Sequence, residues 1–277
     1  MTRPITGATR LAAVIGSPVR HSLSPALHNA AFDAGGLDWR FVAFEVAPGQ
    51  AKEAIAALRT LGIGGFAVTM PHKADVAAVV DEADEAAAAL QSVNTVVLRS
   101  DGSTFGASTD GQGFVDSLRA RGVELVGRRV VVLGAGGAAR AIVDALGRSA
   151  VGDIAIVNRT EANAVAVSEL TPMARVGRVV DIAAADVLVN TTSVGMGTDE
   201  TPVDPALLHD GLTVADIVYH PRRTALLAAA AAAGARTVEG LGMLVHQAVL
   251  QQELWTGVRP DPAVMFAAAE RELAGRS

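Results

Sequence analysis

Several residue types that carry much of enzyme chemistry are rare or absent in this sequence of 277 residues. There is no cysteine, a single tyrosine and only two lysines, Lys52 and Lys73, whereas the other 21 of the 23 basic residues are arginine. The lack of cysteine excludes disulfide bonds, thiolate nucleophiles and cysteine-ligated zinc. Because lysine can lose its proton in a suitable site and arginine effectively cannot, each lysine is a candidate for a chemical role.

Long apolar segments and a basic surplus are missing as well. The N-terminal run "LAAVIG" is too short for a signal peptide, and the Ala-rich segment after Thr224 is too short to span a bilayer, so we expect a helix there. The net charge of −6 argues against a partner that is nucleic acid or an anionic membrane. With 50% hydrophobic and 19% charged residues, the composition predicts a soluble globular protein, which we expect in the cytoplasm.

Apolar runs typical of buried strands alternate with helical patterns along the chain. The runs are "RLAAVIG", "RFVAFEV", "GGFAVTM", "NTVVLR", "RRVVVLG", "DIAIVNR", "DVLVNTT" and "LTVADIVY". Their continuity predicts strands covered on both faces, and the alternation predicts a parallel α/β architecture. The polar segment "SLRARGVELVGRR" is a candidate junction, so we expect a second α/β unit from about residue 111.

A glycine-rich turn in the second half predicts a dinucleotide site. In "VVVLGAGGAARAIVDALG", Gly134, Gly136 and Ala139 match the pattern G-x-G-x-x-G/A between a strand and a helix. Small residues there permit a tight turn that faces a helix N-terminus towards a pyrophosphate. Glycines also serve to pack helices on strands, but the strand–turn–helix context favours the dinucleotide interpretation.

The next strand indicates which dinucleotide is bound. An NAD-binding unit carries an acidic residue at the end of this strand for the ribose hydroxyls, but the sequence here is Asn158, Arg159 and Thr160. A guanidinium can bind a 2′-phosphate through two hydrogen bonds, so we expect NADP. The alternative is a solvated loop arginine, and Glu161 nearby weakens the positive field.

Two common dehydrogenase designs do not fit. The Tyr-x-x-x-Lys pair of short-chain dehydrogenases is absent, because the residue four positions after Tyr219 is Arg223. A zinc alcohol dehydrogenase needs cysteine or clustered histidine ligands, and we expect no metal. The six histidines show no ligand spacing: His21, His28, His72, His209, His220 and His246.

A set of motifs in a fixed order resembles the shikimate dehydrogenase family over nearly the whole chain. The motifs are "GSPVRHSLSPALHN" (16–29), "VTMPHK" (68–73), "SVNTV" (92–96), "STDGQG" (108–113), "GAGGAAR" (134–140), "NRT" (158–160), "NTTSVGM" (190–196), "DIVYHPRRTALL" (216–227) and "GLGMLVHQA" (240–248). No single motif is decisive, and the ordered set is specific.

The resemblance implies a two-domain α/β fold and an NADP-dependent reduction of 3-dehydroshikimate to shikimate, within chorismate and aromatic amino-acid biosynthesis. Residues 1–110 and 241–277 would form the substrate-binding and catalytic domain, with a mostly parallel sheet. Residues 111–240 would form a doubly wound Rossmann domain for NADP(H). The C-terminal helices would pack back on the first domain, and the active site would lie in the cleft between the domains. A homodimer is one assembly that the sequence allows.

Individual positions take roles from the resemblance. Lys73 and Asp110 match the catalytic pair; without the family, they would be a helix-start cation and a turn or N-cap residue. Ser22 and Ser24 match the residues that bind the substrate carboxylate, although Pro25 also suits them as helix caps. The other substrate contacts match Thr69, Asn94, Tyr219 and Gln247. The cofactor contacts match Glu85, Gly134, Ala135, Gly136, Gly137, Ala138, Asn158, Arg159, Thr160, Ile217 and Gly240.

Three positions depart from the family pattern. Ala67 stands where Asn or Ser is frequent, and Ser108 stands where "NTD" is usual. Both changes could weaken the support of the site. Asn163 occupies a place that often holds a second basic residue for the 2′-phosphate, so Arg159 lacks that second cation.

Three alternative functions remain at this point. A family member could act on quinate or an aminated analogue; Ser24 favours shikimate, since quinate-using relatives often carry Thr there. A module that senses NADP(H) without turnover would not need both Lys73 and Asp110. A purely structural Rossmann scaffold would leave the polar "HSLSP" and "VTMPHK" segments without a role.

Overall fold

The computed structural model describes residues 4–276, so residues 1–3 and 277 of the expected first domain lie outside the description. The chain forms two compact units. One comprises the chain up to Thr109 together with the chain from Val245, and the other is Asp110–Leu244. Both are α/β units with mostly parallel sheets, as the sequence predicts.

The first unit has a six-stranded sheet in the order β2-β1-β3-β5-β6-β4 within the described residues. β1 pairs in parallel with β2 and β3, whereas β5 is antiparallel to both β3 and β6. The short connection after β5 accounts for its antiparallel pairing with β6, because a tight hairpin joins only antiparallel strands. The strands are β1 (Arg10–Gly16), β2 (Trp39–Glu45), β3 (Gly65–Val68), β4 (Glu82–Ala83), β5 (Thr95–Leu98) and β6 (Thr104–Ala107).

Helices cover this sheet with apolar faces. In α2, the buried residues Ala51, Ile55 and Leu58 recur at the spacing of one helix face. The helices of the unit are α1 (Ser24–Ala34), α2 (Ala51–Thr60), α3 (Lys73–Ala77) and α4 (Glu85–Leu90), followed by α9 (Leu241–Thr256) from its residue Val245 onward and by α10 (Pro262–Ala274).

The C-terminal helices pack on this unit, which confirms the expectation. Trp255 of α9 lies against Gly65, where an added Cβ would come within 2.2 Å of the indole, and its Nε1–H donates to the carbonyl of Val96 at 3.0 Å. Helix α10 packs on α1, and Arg276 beyond its end donates to the carbonyl of His21 at 2.6 Å.

His28 of α1 is fully buried within this apolar core. Its ring stacks on Phe41 at 4.4 Å and lies 5.0 Å from Trp255, measured between ring centroids. The ring nitrogens face the side-chain amides of Gln251 and Gln252, each at 3.3 Å. Burial lowers the pKa of His28 to about 4, against the opposing effect of these two amides. The imidazole is therefore neutral at physiological pH.

The second unit has a fully parallel six-stranded sheet among the described residues, in the order β12-β11-β10-β7-β8-β9. Read from the β9 end, this is the strand order 3-2-1-4-5-6 of a doubly wound Rossmann fold, with β7 as its first strand. The side chains of β8 alternate between two apolar cores, Ile154 and Ile156 on one face and Ala155 on the other. The strands are β7 (Arg129–Leu133), β8 (Asp153–Val157), β9 (Ala174–Val176), β10 (Val187–Asn190), β11 (Thr213–Asp216) and β12 (Arg236–Val238).

The helices on this sheet include the Ala-rich segment, whose helical prediction is confirmed. Its N-cap is Thr224, whose hydroxyl accepts from the Leu227 N–H. Within residues 4–276, no helix has both the length and the apolar character needed to cross a membrane. The helices are α5 (Asp110–Ala120), α6 (Gly137–Arg148), α7 (Glu161–Ser168) and α8 (Ala225–Ala232), with 3₁₀ turns at Val179–Ala184 and Pro205–Leu207.

We predict that His28 makes the first unit sensitive to acid. The pKa of this imidazole is about 4 in the folded chain and about 6.5 in the unfolded chain, so between these pH values only the unfolded chain binds the proton. The free energy of unfolding should therefore fall by about 3 kcal/mol as the pH drops from about 6.5 to about 4. Urea titrations followed by tryptophan fluorescence measure it, since Trp39 and Trp255 both lie in this unit.

His28→Gln should lower stability at neutral pH and flatten the dependence between pH 4 and 6.5. The exposed His220→Asn is the control, which should keep the parental slope. An unchanged slope in His28→Gln would show that another group causes the acid sensitivity.

Candidate active site

Four loops of the first unit lie at one edge of its sheet, by which we mean the side where the ends of the strands meet their loops. The parallel strands β1 and β3 end there, the antiparallel strand β5 begins there, and β6 ends there. The predicted substrate residues of this unit lie in the loops at this edge or in the helix that packs beside it. They are Ser22 and Ser24 after β1, Thr69 and Lys73 after β3, Asn94 before β5, and Gln247 on α9.

The loop after β1 leads into α1 through its two serines. Ser22 is half-buried, and its hydroxyl accepts from the N–H of Ser24 at 3.2 Å. Ser24 is buried and opens the helix, with Pro25 in the first turn. The helix thus begins at this point, but its N-cap residue is Leu23, which makes no side-chain capping hydrogen bond, so neither serine is the N-cap.

The loop after β3 carries Thr69 and Lys73. The N–H of Thr69 donates to the carbonyl of Ile15 at 2.9 Å. A Cβ added to Gly16 would lie only 2.3 Å from the Thr69 methyl group. Glycine at position 16 thus lets the two loops approach closely. Lys73 begins α3 and is half-buried, and its carbonyl accepts from the N–H of Val93 at 3.0 Å.

Asn94 makes several hydrogen bonds. Its Oδ1 accepts from the Thr109 N–H at 2.9 Å and from the Thr95 hydroxyl at 2.9 Å, while its Nδ2 donates to the Thr109 hydroxyl at 3.0 Å. Its carbonyl accepts from Gln251 Nε2 at 3.3 Å. These bonds fix the buried amide at the edge of the sheet, and sequence reasoning missed both Thr109 and Gln251.

Gln247 belongs to the same arrangement through α9. It is buried one helical turn before Gln251, and residues four apart share a helix face. Gln251 is held in turn by His28. The edge therefore presents hydroxyl, amide and amine groups, which suit a small molecule with several oxygen atoms. No group of three or more potential metal-ligating side chains is found in the described chain.

In the second unit, the predicted cofactor residues follow the carboxyl ends of parallel strands. Gly134 has φ +105°, and an added Cβ would lie 2.6 Å from the Thr191 hydroxyl, so only glycine fits. The space around Gly136 and Gly137 is open, as a closely approaching pyrophosphate requires. Gly134, Ala135 and Gly136 form the turn after β7, and Gly137 and Ala138 begin α6.

The end of β8 is occupied by polar and basic groups. Asn158 Nδ2 donates to the carbonyl of Thr160 at 2.9 Å, and Thr160 is the N-cap residue of α7. Arg159 between them is exposed. A 2′-phosphate would meet the Arg159 cation there, although Glu161 follows at the start of α7.

A buried polar network joins the loops after β10 and β11. Asn190 and Asp216 are direct partners in the strand register, and Asn190 Nδ2 donates to Asp216 Oδ1 at 3.0 Å. The same oxygen accepts from the Val218 N–H at 3.0 Å, and Oδ2 accepts from the Thr224 hydroxyl at 2.7 Å. Burial raises the pKa of Asp216, against these three donors. Sequence reasoning assigned no role to this network.

The remaining predicted residues lie on these elements or at helix starts. Gly240 packs directly on the loop after β11, since an added Cβ would come within 2.5 Å of the Ile217 carbonyl. Tyr219 is half-buried in that loop. Asp110 is the first residue of α5 in the second unit. Glu85 is exposed and is the first residue of α4 in the first unit.

Comparison with protein families and relatives gives one consistent result. The chain matches a shikimate dehydrogenase substrate binding domain over residues 14–96 and a shikimate/quinate 5-dehydrogenase model over residues 117–196. It also matches a shikimate 5′-dehydrogenase C-terminal domain over residues 240–270. The NADP(+)-dependent shikimate dehydrogenase of Thermococcus kodakarensis is 45% identical, covering 94% of this chain and 96% of the relative.

Solved structures agree with these matches. A crystal structure of a shikimate dehydrogenase in complex with NADP+ has a TM-score of 0.93 at 35% identity, covering 98% of each chain. The shikimate 5-dehydrogenase of Thermus thermophilus, in complex with NADP(H) and shikimate, has a TM-score of 0.90 at 35% identity. That match covers 95% of this chain and 99% of the other.

We predict that the network around Asp216 contributes strongly to the stability of the second unit. Asp216→Ala would leave three donors without an acceptor, each at a cost of about 1–3 kcal/mol, so the free energy of unfolding should fall by roughly 3 kcal/mol or more. Denaturant titration followed by circular dichroism measures it. The exposed Asp199→Ala in the same unit should change stability by less than about 0.5 kcal/mol. Equal effects of the two substitutions would contradict the assignment.

Proposed function

Since the chain belongs to the shikimate dehydrogenase family, we propose that it is an oxidoreductase that interconverts 3-dehydroshikimate and shikimate with NADP(H). The observation that carries this proposal is the polar edge of the first unit, where the half-buried Lys73 accompanies Thr69 and the buried Asn94. Full-length similarity to NADP-dependent shikimate dehydrogenases supports the same reaction. The reaction belongs to the biosynthesis of chorismate and the aromatic amino acids.

The two parts of the chain would bind different molecules, one the substrate and the other the dinucleotide. Residues 1–110 and 241–277 would bind the substrate, and the match of residues 14–96 to a substrate-binding domain supports this role. Residues 111–240 would bind the dinucleotide, as the Rossmann strand order and the open glycine turn at Gly136 support.

The chemistry requires one hydride and one proton to move. Reduction of the ring ketone adds a hydride to the carbonyl carbon and a proton to its oxygen, and oxidation of the alcohol removes both. NADP(H), when bound, supplies or accepts the hydride at its nicotinamide ring. Lys73 and Asp110 would hold and move the proton, as the family resemblance implies. Of the two lysines, Lys52 is exposed on α2, whereas Lys73 lies half-buried at the polar edge.

Substrate recognition would rest on hydroxyl and amide groups. Ser22 and Ser24 would bind the carboxylate of shikimate, and Thr69, Asn94, Gln247 and Tyr219 would bind its ring hydroxyls and carboxylate. Asn94 and Gln247 are buried, so a substrate that lacks the matching hydroxyl would lose a hydrogen bond to a group that is shielded from water. Buried polar groups of this kind discriminate strongly between similar substrates.

Cofactor recognition would follow the edge of the second sheet. Residues 134–138 would hold the pyrophosphate, and Asn158, Arg159 and Thr160 would hold the phosphorylated ribose. Ile217 and Gly240 would also contact the cofactor, with Glu85 near the nicotinamide end. We also propose that the enzyme works in the cytoplasm, in line with a globular composition of 50% hydrophobic and 19% charged residues. A homodimer remains a proposal that sedimentation equilibrium can test.

The reaction itself is the first test. We expect shikimate with NADP+ to give the highest kcat/KM of the four pairs formed from shikimate or quinate with NADP+ or NAD+. Absorbance at the NADPH band measures each rate. A higher kcat/KM for quinate with NAD+ would favour the quinate-using alternative, and binding of NADPH without any turnover would favour a sensing module.

The role of Lys73 has its own test. Lys73→Ala should lower kcat by about 10²–10⁴-fold, with a much smaller effect on KM, because proton transfer contributes about this factor. Lys52→Ala is the matched control, since it removes the only other lysine and should leave kcat unchanged. An unchanged kcat in Lys73→Ala would show that another group transfers the proton.

A further inference from the structure

Thr109 is a buried polar residue at the end of a segment of the first unit, after β6 and directly before Asp110 in the chain. It is not among the predicted site residues. Both its backbone N–H and its hydroxyl contact the side chain of Asn94, which is proposed to bind the substrate. These contacts determine what the Asn94 amide offers to a ligand.

The backbone of Thr109 decides which way the Asn94 amide faces. Its N–H, a group that can only donate, lies 2.9 Å from Asn94 Oδ1. An amide turned by 180° would bring its NH2 group against this N–H, so that two donors would face each other without an acceptor. Oδ1 therefore belongs on this side, and Nδ2 is the atom that donates to the Thr109 hydroxyl at 3.0 Å.

Donors from the protein use the acceptor capacity of Asn94 Oδ1. The oxygen of a side-chain amide has two lone pairs. The Thr109 N–H uses one of them, and the Thr95 hydroxyl donates to the other at 2.9 Å. Asn94, Thr95 and Thr109 are all buried, so these bonds are shielded from solvent. A substrate atom that contacts this amide therefore meets N–H rather than C=O.

We infer that Thr109 is a positioning residue that orients Asn94 so that its amide acts on the substrate as a hydrogen-bond donor. A hydroxyl, ketone or carboxylate oxygen has a lone pair that accepts such a bond, whereas an ammonium group has none. The arrangement selects an oxygen at this position of the substrate and disfavours an amino analogue there. The inference rests on the proposed function and adds the polarity of the Asn94 contact and the residue that sets it.

Thr109→Val tests this role, because valine has the shape of threonine without the hydroxyl. The variant keeps the backbone N–H but removes the acceptor for Asn94 Nδ2, so the amide is held less firmly. The KM of shikimate should rise about tenfold, as expected for the loss of one hydrogen bond, with a smaller change in kcat and no change in the KM of NADP+. Thr109→Ser keeps the hydroxyl and should restore most of the parental KM. An unchanged KM of shikimate in Thr109→Val would overturn the inference.

Thr104→Val is the matched control for a purely structural effect. Thr104 is a buried threonine at the other end of β6, where its hydroxyl donates to Asp81 Oδ2 at 2.8 Å. The substitution should lower stability and leave both KM values as in the parent, because a loss of folded enzyme lowers only the apparent kcat. An equal rise of the KM of shikimate in both threonine variants would contradict a specific role of Thr109.

A double-mutant cycle shows whether Thr109 acts through Asn94 or through its chain neighbour Asp110. Asn94→Ala should raise the KM of shikimate, and Thr109→Val added to it should raise this KM little further, because residues that act as one unit are not additive. Additive effects would show that Thr109 acts by another route and would overturn the inference.

The polarity of the contact has a separate test in Asn94→Asp. This variant offers a carboxylate oxygen in place of N–H donors and should raise the KM of shikimate at least as much as Asn94→Ala. An unchanged KM would show that the substrate uses an acceptor at this position, against the inference.

Activity of the parent enzyme separates this inference from the proposed function. If the parent oxidises shikimate with NADP+ and Thr109→Val has the parental KM, the role of Thr109 is wrong and the function stands. If the parent does not oxidise shikimate, the proposed function itself fails, and the role of Thr109 in substrate recognition fails with it.

Discussion

The hydrogen bond from Asn190 to Asp216 is the interaction on which the cofactor edge of the second unit depends. Parallel strands end side by side, and the loops that follow have no ladder partners for their backbone groups. Asn190 Nδ2 bonds both Asp216 and the Val194 carbonyl, and the Asp216 carboxylate collects the Val218 N–H and the Thr224 hydroxyl. One buried amide and one buried carboxylate thus determine the course of two loops, so a ligand meets groups that are already in place.

In the first unit, an amide and a threonine hold the loops at the strand ends in the same way. Asn94 stands where β5 begins and binds Thr109 just after β6 ends, through both its Oδ1 and its Nδ2. Gln251 then ties the Asn94 carbonyl to α9, and His28 holds Gln251 from α1. Side chains that are not proposed to contact the substrate therefore link the polar edge to the apolar core.

Much of the fold could be predicted from the sequence, because buried parallel strands are long apolar runs. All eight predicted strands are present, and the Gly134 turn lies between a strand and a helix as predicted. The missed strands β4, β6, β9 and β12 have two to four residues each, too few for a hydrophobic period to show. Asp216 and Thr109 were missed as supporting residues for another reason. A single Asp or Thr in a loop is typical of a local turn or a helix cap, and only the tertiary structure reveals its distant hydrogen-bond partner.

The departures at positions 67 and 108 can be understood from the same contacts. Ala67 is opposite Thr95 in the register of β3 and β5, and the Thr95 hydroxyl donates to Asn94 Oδ1 at 2.9 Å and lies 3.4 Å from the Thr109 hydroxyl. The hydroxyl is thus satisfied without a polar side chain at position 67. Ser108 is held through its backbone, whose N–H donates to Asp84 Oδ2 at 3.3 Å. Support of Asn94 therefore rests on Thr95 and Thr109, and this chain keeps a fixed amide at the edge although two frequent neighbours have changed.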